Sequence, residues 1–130
     1  MSGDVDIEAL VAAAHEASTR AYCPHSHFPV GAALAASDGR VFAGCNVENA
    51  SFGLTICAER NAIFSAVAAG VREVQSLVIY TPTPLPVTPC GACRQVLFEF
   101  GKDAHVVCVC AGTQRLSFKV SELLPHGFNL

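Results

Sequence analysis

Cys57-Ala58-Glu59 and Pro89-Cys90-Gly91-Ala92-Cys93 are the segments whose residue types and spacing point to chemistry. Alone, the Cys90–Cys93 pair reads equally as a redox couple, half of a structural zinc site, or two core cysteines. Cys57 adds a third soft ligand, and thiolates suit zinc. Structural zinc sites take four protein ligands, whereas catalytic sites take three and leave a position for water. No fourth Cys or His adjoins either segment, which favours an open, catalytic ion; a distant residue such as Cys45 remains available to close it. Glu59 follows Cys57 by two residues. A carboxylate at that spacing can reach water at the ion without ligating the ion itself. Zinc lowers the pKa of such water, to about 7 in favourable cases. A positioned acid–base group is then worth about 10²–10⁴-fold in rate.

The elements around these segments follow from hydrophobic period and from turn residues. Ile7, Leu10, Val11 and Ala14 recur at helical spacing, so a helix is expected from about Asp6 to Ala21, before Pro24. Pro29 to Ala36 and Arg40 to Val47 read as strands joined at Asp38-Gly39, a strong hairpin signal. Cys57 to Ala69 reads as an Ala-rich helix closed by Gly70, and Gly91 to Phe100 as another closed by Gly101. Val74 to Tyr80, His105 to Cys110 and Arg115 to Val120 complete the strands, with a short turn at Ser121 to Leu124. The order α-β-β-α-β-α-β-β implies an α/β sandwich with a parallel step and a mixed sheet. Both cysteine segments fall at helix starts, just after loops.

The chain of 130 residues fits one domain, taken as 1–130. Charged residues are only 15% of it, against about 25% in typical domains. A surface so short of charge suggests burial against other subunits. The net charge of −3 argues against broad nucleic-acid binding, which needs a basic footprint. The uncharged run Val74 to Cys93 is broken by Pro82, Pro84, Pro86 and Pro89, so it is no membrane span. The acidic start lacks the pattern of a signal peptide. With seven cysteines and no disulfide-framework spacing, reduced thiols or metal ligands in the cytoplasm are expected.

Taken together, the segments resemble cytidine deaminase of the small, three-cysteine type. A Cys or His followed by a non-ligating Glu and then P-C-x-x-C marks the zinc base deaminases. The resemblance covers nearly the whole chain. It rests on Phe28-Pro29-Val30-Gly31-Ala32-Ala33, Gly44-Cys45-Asn46-Val47-Glu48-Asn49-Ala50, Cys57-Ala58-Glu59-Arg60 and Pro89-Cys90-Gly91-Ala92-Cys93-Arg94-Gln95-Val96. It implies a three-layer α-β-α sandwich around a mixed sheet of about five strands. It implies one Zn²⁺ per subunit on Cys57, Cys90 and Cys93, with Glu59 as proton shuttle. It implies that Asn46 and Glu48 hold the ribose hydroxyls and that Phe28 packs on the pyrimidine. Ala58 and the Pro89–Cys90 peptide would offer backbone contacts to the base. Phe128 would reach a neighbouring subunit's site in a homotetramer. The implied reaction is hydrolysis of cytidine and 2′-deoxycytidine to uridine and deoxyuridine with loss of ammonia, a step of pyrimidine salvage. No nucleic-acid or membrane partner is implied.

Three thiolates and Zn²⁺ sum to −1, which disfavours hydroxide at the ion. Helix N-termini offset that charge. So would Arg60, three residues after Cys57 on the same face, which in the family hydrogen-bonds the ligand sulfurs. Arg94 is a weaker candidate that reads as solvent-facing. Blander readings stand beside these. Cys23 and Cys45 simply pack, Cys108 and Cys110 alternate with Val107 and Val109 as core, and His25 and His27 are solvated. Asn46 and Glu48 alternate on a strand end and share one face. Phe52 stands where relatives often have Tyr, which puts one ribose contact in question. Competing functions are deamination of another cytosine-bearing compound such as blasticidin S, a structural zinc module, and a redox CxxC protein.

Overall fold

A computed structural model describes residues 6–130. Asp6 is the N-cap of α1 (Ile7–Ser18), its carboxylate accepting the Ala9 N–H at 3.1 Å. The helix stops before the expected Ala21. The N–H groups of Thr19, Arg20 and Ala21 each bond three residues back, which tightens the last turn. The hairpin is β1 (Gly31–Ala36) and β2 (Val41–Cys45), shorter at its outer ends than the apolar runs suggested. Gly39 takes a φ of +92°, which the turn needs. Then come α2 (Ala58–Ala68), β3 (Val74–Thr81), α3 (Gly91–Gly101), β4 (His105–Cys110), β5 (Leu116–Lys119) and the single-turn α4 (Val120–Leu123). A short 3-10 turn at Phe52–Leu54 had no counterpart in the sequence pattern.

The five strands lie in the order β2-β1-β3-β4-β5. The β3–β4 pair is parallel and the others are antiparallel, so the sheet is mixed as expected. β1 is buried along its whole length and faces two cores. Ala32, Leu34 and Ala36 pack with Ala58, Ala62 and Ile63 of α2 and Leu97 of α3. Ala33 and Ala35 pack with Leu10 and Ala14 of α1 on the other side. Helices therefore cover both faces, giving three layers. β1 is built of small residues because the layers are close. A Cβ on Gly31 would lie 1.9 Å from the Ala14 carbonyl oxygen.

Gly101 differs from its expected role. It is the last residue of α3 rather than a terminator beyond it, and a Cβ there would meet the Val74 carbonyl oxygen at 2.6 Å. Close approach to β3 is what requires glycine. Gly70 does act as a terminator, with a φ of +97° just after the Ala69 cap.

This topology places the cysteines. α2 feeds into β3 through a short turn, and α3 leaves β3 through the proline-rich loop. Both helices thus run opposite to β3 on the same face. Their N-termini meet where β3 ends, and their N-cap residues are Cys57 and Cys90.

Gly44 of β2 lets α2 rest directly on the hairpin: a Cβ would fall 2.5 Å from the Ala62 nitrogen and 2.8 Å from the Ala58 carbonyl oxygen. Helix backbone cannot yield cheaply, so Gly44→Ala is expected to lower stability by about 1–3 kcal/mol. A fall in the urea midpoint with unchanged slope is the measurement.

Candidate metal centre

The sulfurs of Cys57 and Cys90 lie 3.8 Å apart and those of Cys90 and Cys93 3.4 Å apart. All three fall within 4.8 Å of one another. Three thiolates at about 2.3 Å from a tetrahedral zinc would sit about 3.8 Å apart, so these positions fit that ion. Cys93 is buried, Cys57 half-buried and Cys90 exposed, so the cluster is shielded on the Cys93 side and open on the Cys90 side. Among the described residues no fourth His, Cys, Asp or Glu joins the group. Cys45 points elsewhere, its thiol 3.5 Å from the Arg20 carbonyl oxygen.

The surroundings favour negative sulfur. The N-termini of α2 and α3 both aim at the cluster, and the partial positive charge of a helix start stabilises thiolate. Arg60 Nη2 donates to Cys57 Sγ at 3.5 Å, the contact its spacing suggested. Its Nε is buried without a partner. The hydrogen bond from Cys93, and then Arg60, bring the Cys57 thiol down to about 5. Cys93 moves the opposite way, pushed up by its bond to Cys57 and by burial.

Glu59 occupies the first turn of α2 and is only 5% exposed. Burial pushes its carboxyl up to about 7, and the neighbouring Cys57 charge adds to the effect. Glu59 therefore lies beside the thiols without belonging to the ligand set. Cys108 sits buried on β4, its thiol pushed up to about 12 by burial and then by Glu59. Both Cys108 and Cys110 are core residues, as their alternation implied.

The remaining expected site residues spread over five parts of the chain. Ala58 is fully buried, and Pro89 is buried immediately before Cys90. Asn46 is 7% exposed and uses its amide on backbone: Oδ1 accepts the Val30 N–H at 2.9 Å and Nδ2 donates to the Phe28 carbonyl at 2.9 Å. Asn46 and Glu48 lie beyond the end of β2, and only Glu48 borders open space. That space is a cavity of about 430 Å³ lined by His25, Ser26, Glu48, Phe52 and Thr55. Phe28 is 37% exposed and Phe128 65% exposed, and the Phe128 carbonyl accepts from Gln95 Nε2 at 3.3 Å.

Arg94 does not face solvent. It is half-buried and donates three hydrogen bonds: Nε to the Pro89 carbonyl at 2.8 Å, Nη1 to the Leu123 carbonyl at 2.9 Å, and Nη2 to Thr88 Oγ1 at 3.2 Å. It braces the loop that presents Cys90 against α4. The one local signal was its place beside Cys93; its partner Leu123 lies too far along the chain to be read from the sequence.

A family model for the cytidine and deoxycytidylate deaminase zinc-binding region matches residues 4–110. The cytidine deaminase of Halalkalibacterium halodurans is 46% identical over 125 residues, 95% of each chain. That of Sporosarcina psychrophila is 52% identical over 96 residues, 74% of this chain and 71% of its own. The crystal structure of cytidine deaminase from Burkholderia pseudomallei aligns with a TM-score of 0.91 at 47% identity, over 95% of this chain and 100% of that one.

The sulfur geometry makes a direct forecast. Cys57→Ala or Cys90→Ala should leave the purified protein essentially free of zinc by elemental analysis. Glu59→Gln should retain zinc at the level of the unaltered chain, because the carboxylate is outside the ligand set.

Proposed function

Since this chain belongs to the cytidine and deoxycytidylate deaminase zinc-binding family, we propose that it hydrolyses the exocyclic amine of cytidine and 2′-deoxycytidine, giving uridine or 2′-deoxyuridine and ammonia. The observation that carries the reading is a buried carboxylate, Glu59, set against three thiols gathered at two helix starts. It is a zinc enzyme with one ion per subunit, and Cys57, Cys90 and Cys93 are the residues that would hold it. Bound zinc supplies Lewis acidity that makes water nucleophilic near neutral pH.

The chain's own groups do the rest. Water adds to C4 of the ring, and Glu59 takes a proton from it and passes one to N3. Glu59 then takes the second proton and delivers it to the amine, which leaves as ammonia while the C4 oxygen becomes a carbonyl. One carboxylate serves both transfers because it is enclosed, where bulk water does not compete for the proton. Arg60, bonded to Cys57, draws negative charge from the sulfur. The Ala58 and Pro89 backbones adjoin Cys57 and Cys90 and would contact the base. Phe28 would pack on the ring, while Glu48 and Asn46 would take the ribose hydroxyls. Asn46 already spends amide groups on the Phe28 and Val30 backbone, so it also holds the base-packing loop.

The exposed apolar side chains Phe52, Leu54, Tyr22 and Phe128 and the 15% charged content support a homotetramer whose sites lie at subunit interfaces, with Phe128 reaching across. Among the described residues no helix is long and apolar enough to cross a membrane. The cysteine usage favours the cytoplasm, and the −3 charge disfavours nucleic acid as substrate. A structural zinc module would need a fourth ligand, which the cluster lacks among the described residues.

Loss of cytidine absorbance in the ultraviolet, paired with ammonia release, tests the activity. A strong chelator should abolish it and added zinc restore it. Glu59→Gln should cut kcat by about 10²–10⁴-fold with zinc retained. At matched zinc occupancy, Arg60→Gln should slow turnover about 10–100-fold, and an unchanged rate would remove Arg60 from the mechanism.

A further inference from the structure

Glu48 does not stand alone in its cavity. Its Oε1 accepts the backbone N–H groups of His25 at 2.9 Å and Ser26 at 3.1 Å, and its Oε2 accepts the Ser26 hydroxyl in a close contact. The same hydroxyl oxygen accepts the Phe28 N–H at 3.1 Å. On the far side, the Phe28 carbonyl is held by Asn46. Between Ser26 and Phe28, His27 has a φ of +56°, a left-handed conformation that a non-glycine residue keeps only when its surroundings fix it. A simple turn would explain the Ser26–Phe28 bond. It would not explain the bond to Glu48, 22 residues away in sequence.

We propose that Ser26 is the positioning residue of the sugar subsite: its hydroxyl fixes the Glu48 carboxylate and joins it to the loop bearing Phe28. The proposal rests on the reading of Glu48 as the group that takes a ribose hydroxyl. A carboxylate offers about four acceptor positions, and the three bonds here leave about one for substrate. Ser26 thereby decides which lone pair of Glu48 meets the sugar. The Ser26 hydroxyl also holds the Glu48 carboxyl below the usual carboxylate range, keeping it an acceptor.

The test is a double-mutant cycle on zinc-loaded enzyme, with kcat and KM measured separately for cytidine. Ser26→Ala should raise KM about tenfold, the worth of one hydrogen bond to a charged group, with a much smaller change in kcat. In a Glu48→Ala background the same substitution should have almost no further effect on kcat/KM. Ser26→Thr, which keeps the hydroxyl, should restore KM. Zinc content and urea midpoint should stay unchanged in Ser26→Ala. An equal loss in both backgrounds overturns the proposal, as does a loss confined to kcat or one that follows zinc content or the midpoint. Failure of the unaltered enzyme to release ammonia from cytidine would defeat the functional reading, and the proposal with it. Activity in the unaltered enzyme with additive effects in the cycle would defeat the Ser26 proposal alone.

Discussion

Three sulfurs brought within 4.8 Å of one another can carry negative charge only if something nearby compensates it. Part of the compensation is backbone. α2 and α3 run opposite to β3 on one face of the sheet, so their unpaired N–H groups converge where the thiols lie. Arg60 adds a full positive charge from within the first turn of α2. The metal cluster is therefore a product of topology before it is a product of side chains. A sheet that sent α2 and α3 in opposite directions could not assemble it. The same arrangement buries Glu59, because the first turn of α2 is pressed against the sheet through Ala58 and Ala62.

Much of this was legible because it is local. The Asp38-Gly39 hairpin, the terminator at Gly70 and the placing of both cysteine segments at helix starts depend on neighbours a few residues apart. The spacing of Cys57 and Arg60 gave their contact for the same reason. Gly101 was misread, because a glycine at a helix end signals a terminator unless a distant strand crowds it, and β3 does crowd it. Arg94 was misjudged likewise: two of its three partners adjoin its own loop, but Leu123 comes from the C-terminal turn. Asn46 and Glu48 read as a pair sharing one face. Beyond β2 the strand gives way to isolated bridges between Tyr22, Val47 and Ile56, so simple alternation stops applying.

The polar contacts of residues 25–30 with Asn46 and Glu48 do work that the sheet does not. The strands and helices fix the thiols and Glu59. Most of the residues expected to meet the nucleoside lie outside those elements, with Phe28 and Glu48 on irregular chain. Side-chain hydrogen bonds to backbone substitute there for a ladder, and two bonds from the Asn46 amide hold Phe28 and Val30 in place. Part of the molecule is thus rigid by packing, and the other part is rigid by hydrogen bonding.

The smallness of β1 has a consequence for how such a chain can diversify. Its sequence Gly-Ala-Ala-Leu-Ala-Ala is enclosed on both faces, with helix backbone already at van der Waals limits beside Gly31. No appreciable side-chain volume can be added along that axis without parting the layers. Innovation in what the molecule accepts is therefore channelled outward, to the segments around residues 25–28 and 46–55 and to the C-terminal tail. There, substitutions can accumulate while the scaffold stays the same.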